Sequence, residues 1–176
     1  MDSVKCEVRK LVIPTYPEPK AEDLPMFAEN RVHQRTSGNP YPNKVVLKVN
    51  RDEKINKEYD VVLLENEYLK IEILPEIGGR IYSALDKTTG YDFFYKQHVI
   101  KPALIGVLGS WISGGVEFNW PFHHRASGFM PCDFNTEILP DGTAVCHLSE
   151  HDPIDRMKGM VSIILRPGEK RFGTRT

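Results

Sequence analysis

A chain of 176 residues, 40% hydrophobic and 27% charged, has the composition of a globular protein long enough to bury a core as one domain. Its formal net charge of -1 supplies no field for nucleic acid or an anionic membrane surface, so neither partner is expected. No apolar run approaches the ~20 residues that cross a bilayer, and Met1 to Cys6 lacks the apolar core of a signal peptide. Cys6, Cys132 and Cys146 show no close pairing and fit free thiols in a cytoplasmic protein, although spacing alone leaves a Cys132–Cys146 disulfide open.

From the N-terminus, Val4, Cys6 and Val8 alternate with charged neighbours, and Lys10 to Ile13 run on to Pro14. Prolines between Pro14 and Pro25 fix an extended backbone without amide donors, which suits a surface crossing. Ala21 to Glu29 has room for a helical turn or two, Asn39 to Asn43 reads as a loop, and Val45 to Val49 as a short strand. Residues 61–65 form an apolar run closed by Asn66-Glu67. Residues 68–74 then alternate as a half-buried strand.

Pro75 ends that strand, and the double glycine Gly78-Gly79 suits a bulge or tight corner before Arg80. Ile81, Ser83 and Leu85 resume the alternation over 80–85, and Asp86 to Gly90 turn the chain again. Arg80 is able to clamp a carboxylate or phosphate bidentately, or to serve in an ordinary surface or cross-strand ion pair. The aromatic run Tyr91 to Tyr95 is either a stacking platform or, at strand spacing, core on one side and rim on the other.

Residues 111–125 concentrate side chains suited to a binding site: Trp111, Glu117, Asn119, Trp120, His123, His124 and Arg125. Strict alternation from Val116 to Trp120 predicts a strand with Glu117 and Asn119 side by side on one face, able to hydrogen-bond a polyhydroxylated ligand. Pro121 ends it and puts the His-His-Arg triplet on a loop. The tryptophans offer flat apolar surface to a sugar ring.

Strands are expected at 136–140 and 143–149, joined by a Pro140-Asp141-Gly142 turn, and at 160–165. His147 and His151 share a face on a helix, but on a strand they stand about 13 Å apart at its ~3.3 Å rise, so no metal site is expected. Nucleotide and dinucleotide glycine motifs are absent, and no cofactor is expected. Many short strands between turn signals argue an all-β sandwich or barrel. The basic stretch Arg166 to Arg175, with no closing element, reads as a stop inside a larger protein. An incomplete sheet would leave edges near 160–165 for a homodimer.

Leu69 to Lys87, with its Gly-Gly-Arg-Ile turn, resembles the first strand pair of the galactose-mutarotase-like β-supersandwich, the fold of aldose 1-epimerases. Trp111 to Arg125 resembles more specifically an uncharacterised bacterial branch of that superfamily, in which the domain commonly precedes tetratricopeptide repeats. The similarity covers about residues 8 to 170. It implies an incomplete, N-terminal part of a mutarotase-like sandwich over 61–176, with 1–60 as strands and proline-rich loops packed on it in one domain.

It further implies a carbohydrate ligand on a concave sheet lined by Arg80, Trp111, Asn119, Trp120 and Arg125. By the epimerase pattern, His123 or His124 would donate a proton to the ring oxygen, and Glu117 is the nearest candidate carboxylate for the base. The family's base lies later in the domain, so catalysis is expected of a longer protein and not of this chain alone. The alternative from another class is a non-catalytic interaction or scaffold module of a larger repeat-containing protein.

Overall fold

Alternating and continuous apolar runs both become strands in the computed structural model, which describes residues 3–20, 46, 48–104, 111–119, 126–152 and 156–176. Among these lie β1 (Lys5–Thr15), β2 (Ile55–Glu65), β3 (Leu69–Leu74), β4 (Arg80–Asp86), β5 (Tyr91–Asp92), β6 (Asp133–Ile138), β7 (Ala144–His151), β8 (Lys158–Leu165) and β9 (Phe172–Arg175). They form two antiparallel sheets, ordered β1-β2-β3-β4-β5 and β6-β7-β8-β9. The protein is an all-β sandwich; the pattern predicts the all-β class with sandwich or barrel open, and the resemblance implies the sandwich.

One core lies between the sheets, where Val62, Leu64, Ile71, Ile73, Ile81 and Ala84 meet Cys146, Leu148, Val161, Ile163 and Leu165. A second covers the opposite face of the first sheet, where Ile13, Tyr59, Val61, Leu74 and Tyr82 pack with Ile100 and Ile112. A sheet covered on both faces explains why Val61 to Leu64 is a continuous apolar run and not an alternation. Buried Asn66 ties the β2–β3 turn to the second sheet. Its Oδ1 accepts from the Tyr68 and Leu69 amides, and its Nδ2 donates to the Arg166 and Glu169 carbonyls at 2.8 Å each.

Several elements differ from the sequence reading. β2 begins six residues before the expected 61, and β6 starts and ends earlier than 136–140, because hairpin pairing extends strands whose exposed positions carry no apolar signal. Ile81, Ser83 and Leu85 do not share a face. Glu72 pairs with Ser83 while Ile73 pairs with Ile81, so Tyr82 is an extra residue, and this bulge turns Ile81 and Ala84 together into the core. Val116 makes only an isolated bridge to Ile81, and Glu117 to Asn119 form no strand. The described residues of the expected strand at 45–49 (Val46, Lys48 and Val49) are likewise in no strand, and the helix expected at 21–29 lies outside the described residues.

A closing element does follow β8. β9 pairs with it from Ser162↔Arg175 to Leu165↔Phe172, which covers most of the edge expected to be open at 160–165. Among the described residues the outermost strands of the two sheets are β1, β5, β6 and β9. The three cysteines are free thiols, and burial pushes that of Cys146 up to about 12. His147 and His151 both lie on β7, where His147 faces Ser162 Oγ at 2.8 Å and Glu137 Oε1 at 2.9 Å across the neighbouring strands. Among the described residues no helix is long and apolar enough to cross a membrane, and no cluster of potential metal ligands forms.

Candidate functional site

Three of the side chains singled out from sequence meet at one point. Pro75 to Ile77 form a 3-10 turn that ends at Gly78 in the left-handed conformation, and the chain re-enters the sheet at Arg80, the first residue of β4. From there the guanidinium reaches the segment 111–119 beside the edge of β4. Its Nη1 donates to the carbonyls of Ile112 at 3.2 Å and Gly114 at 2.6 Å, and its Nη2 donates to Glu117 Oε2 at 3.3 Å. Trp111 Nε1 donates to the same Oε2 at 2.8 Å.

The segment is therefore held at both ends of a glycine turn. Gly115 sits at φ +69°, and a Cβ there would lie 2.1 Å from the Ile81 carbonyl oxygen, so only glycine lets the two backbones approach this closely. That approach permits the paired bonds between Ile81 and Val116, at 3.1 and 2.9 Å. Arg80 is buried, and among the described residues its Nε has no hydrogen-bond partner. Burial lowers its pKa and the Glu117 carboxylate opposes that, but a guanidinium stays charged under either influence. Of the two roles open to Arg80, the structure shows it in a carboxylate ion pair within the chain.

Glu117 is mostly buried and turned toward this clamp, whereas Asn119 is exposed. The two do not share a strand face, because the glycine turn before them leaves a single bridge and no ladder. Trp120, His123, His124 and Arg125 lie outside the described residues.

Two surfaces adjoin the clamp. Along one, Phe94 turns into the core and packs edge-to-face on Phe172, with ring centroids 6.3 Å apart. Its neighbours Tyr91, Phe93 and Tyr95 remain 66%, 41% and 75% exposed, so the aromatic run divides into a core residue and an exposed rim. Tyr91 and Phe93 contact edge-to-face at 6.4 Å, and the Tyr95 carbonyl accepts from the Gly115 amide at 2.8 Å, which ties the rim to the clamped segment.

The other surface is a cleft of about 380 Å³ lined by Arg51, Gln97, Val99, Lys101, Ile112 and Ser113, among others. Sequence reading missed it. Its residues come from three separate stretches with no motif linking them; the one local signal is that Ile112 and Ser113 fall within the conspicuous 111–125 block.

In comparison with solved structures, the fold is similar to that of a TPR-domain containing protein from Parabacteroides distasonis, with a TM-score of 0.82 and 22% sequence identity. The match covers 98% of this chain and 28% of that one, so the chain spans under a third of the matched protein's length. Residues 37–176 match the family described as domain of unknown function DUF5107, and these include β2 to β9, Arg80 and the whole clamped segment. The chain belongs to the DUF5107 family.

Proposed function

We propose that this domain binds carbohydrate, as a recognition part of a longer protein, without itself performing proton transfer through Glu117. The observation that carries the reading is the exposed aromatic rim of Tyr91, Phe93 and Tyr95 beside the rigidly clamped segment 111–119. Large aromatic rings left in water at alternate positions cost hydration free energy unless a partner covers them. A pyranose ring suits them, because its CH face stacks on an aromatic ring while its hydroxyls reach neighbouring polar groups. Asn119 is exposed on the segment that the rim adjoins and is the polar group assigned to those hydroxyls.

The likeness of the Gly-Gly-Arg-Ile turn to mutarotase-like sandwiches agrees with a sugar ligand. In this reading Glu117 and Trp111 shape the site instead of reacting, since Glu117 Oε2 already accepts from Arg80 and Trp111. Trp120 and Arg125 are assigned to the same ligand, and His123 or His124 to the acid role only if catalysis occurs.

Calorimetric titration with a panel of neutral oligosaccharides tests the proposal. At least one should bind, and Tyr95→Ala should weaken it about two- to tenfold, in line with ~0.5–1.5 kcal/mol for an aromatic contact. Polarimetry of freshly dissolved α-glucose or α-galactose should stay at the buffer rate. A panel without a binder removes the proposal, and accelerated mutarotation that Glu117→Gln abolishes would replace it with the catalytic reading.

A second reading, self-association, is favoured by one further observation. Val8 and Val12 of β1, and Phe134 and Ile138 of β6, are exposed although they share the core-facing sides of Cys6 and Thr136. Apolar side chains on adjoining edge strands invite another strand, here from a second copy of the chain. Light scattering should then show a dimer that the Val12→Lys, Ile138→Lys double variant converts to monomer. A wild-type chain that stays monomeric at every concentration ends this reading.

A further inference from the structure

We propose that the cleft beside the clamp is an acidic-sugar subsite, which takes the carboxylate and ring of a uronate. This rests on the carbohydrate reading and narrows its ligand class. The lining carries two cations, Arg51 and Lys101, and no carboxylate among the described residues. Lys101 Nζ stands 4.6 Å from the centroid of the Tyr16 ring, so its charge is positioned by a cation–π contact and not cancelled by an acid. No ion pair involving Arg51 or Lys101 occurs among the described residues, in a chain whose other lysines and arginines are paired at many points.

Between the cations the wall is built for a small polar ring. Gln97 Nε2 donates to Ser113 Oγ at 2.8 Å, which presents an amide oxygen and a hydroxyl from two elements at one place. Tyr82 Oη donates to the Gln97 carbonyl at 2.9 Å, and Arg80 holds the carbonyls on both sides of Ser113, so neither residue sits on a loose loop. Val99 and Ile112 supply apolar wall for the ring's CH groups. The volume of about 380 Å³ falls in the range of small-molecule sites.

The anion follows from the charge, because Arg51 offers a planar fork that matches a carboxylate bidentately. The ring follows from continuity. The aromatic rim ends at Tyr95 and the cleft begins at Gln97, so a glycan stacked on the rim carries its next unit into the cleft.

Titration of the folded chain with glucuronate, glucose, glucose 6-phosphate and inorganic phosphate, at low and at physiological salt, tests this subsite. Glucuronate should bind at least tenfold more tightly than glucose at low salt, with an advantage that shrinks as salt rises. Arg51→Ala and Lys101→Ala should each remove most of that advantage, with the circular-dichroism spectrum unchanged. Both residues are exposed, so neither change threatens folding.

Equal binding of glucuronate and glucose, or glucuronate binding that survives both substitutions, overturns the proposal. So does binding of glucose 6-phosphate or phosphate as tight as that of glucuronate, which would make the cleft a phosphate site. Tyr95→Ala keeps the two readings apart. If neutral oligosaccharides bind and respond to it while glucuronate gains nothing, the carbohydrate reading stands and only the acidic subsite fails.

Discussion

Arg80→Leu should destabilise the fold by about 3–5 kcal/mol, the range for removing one partner of a buried ion pair. The substitution strips hydrogen bonds from two backbone carbonyls, Ile112 and Gly114, and an ionic partner from Glu117. Leucine fills the volume but donates nothing, so the acceptors near it lose partners in a place with little water. Arg80→Lys should recover only a minor part, since one ammonium cannot span two carbonyls and a carboxylate as the planar fork does. Urea denaturation followed by tryptophan fluorescence reads the change, and Trp111 is a local reporter because its indole bonds to Glu117. A loss under 1 kcal/mol would mean that the clamp is not a structural keystone.

Gly115→Ala should cost roughly 2–5 kcal/mol. About 1–3 of this comes from holding a non-glycine residue at positive φ, and the rest from driving a methyl into the Ile81 carbonyl. Gly90→Ala is the matched control. Its φ is +74° but nothing lies within 4 Å of the added Cβ, so it should show the conformational cost alone, about 1–3 kcal/mol. The difference between the two midpoints isolates the close backbone approach. Hydrogen exchange at the Ile81 and Val116 amides should rise sharply in Gly115→Ala and stay unchanged in Gly90→Ala, because those amides bond across the gap that the methyl would open. Comparable midpoints for the two variants would refute the close-approach argument.

Local chemistry made much of the fold legible. Pro140-Asp141-Gly142 turns β6 into β7, with the Thr143 amide donating to Asp141 Oδ1 at 3.0 Å. Asp86 to Gly90 turn β4 into β5, with Asp86 Oδ1 accepting from Thr88. β3 follows its alternation because Leu69, Ile71 and Ile73 must face the second sheet. β9 escaped notice because Phe172 to Arg175 carries one large apolar residue and two charged or polar ones, too short a pattern to stand out. Its partner β8 supplies the missing reason for it to be extended.

The candidate site divides along the same line. A double glycine before an arginine, and a tryptophan and glutamate in one polar–aromatic block, marked Arg80, Trp111 and Glu117 as residues of interest. Sequence also held both roles open for Arg80, ligand clamp and ion pair. Only the folded chain shows the ion pair, because Glu117 lies 37 positions away and reaches Arg80 only once the 111–119 segment lies along β4.

The aromatic run is the reverse case. Its alternation was visible, and burial then showed Phe94 in the core and its neighbours in water, a division set by which face the second sheet covers. The cleft between Arg51, Gln97, Lys101 and Ser113 had no linking sequence motif, and only Ile112 and Ser113 fell within a conspicuous block. By itself, then, the sequence determined an all-β class, its principal turns and the glycine corner at Gly78-Gly79, since these depend on near neighbours and on side-chain period. Tertiary structure decided the bulge at Tyr82, the pairing of Arg80, the exposed rim and the cleft, since each depends on contacts between residues far apart in the chain.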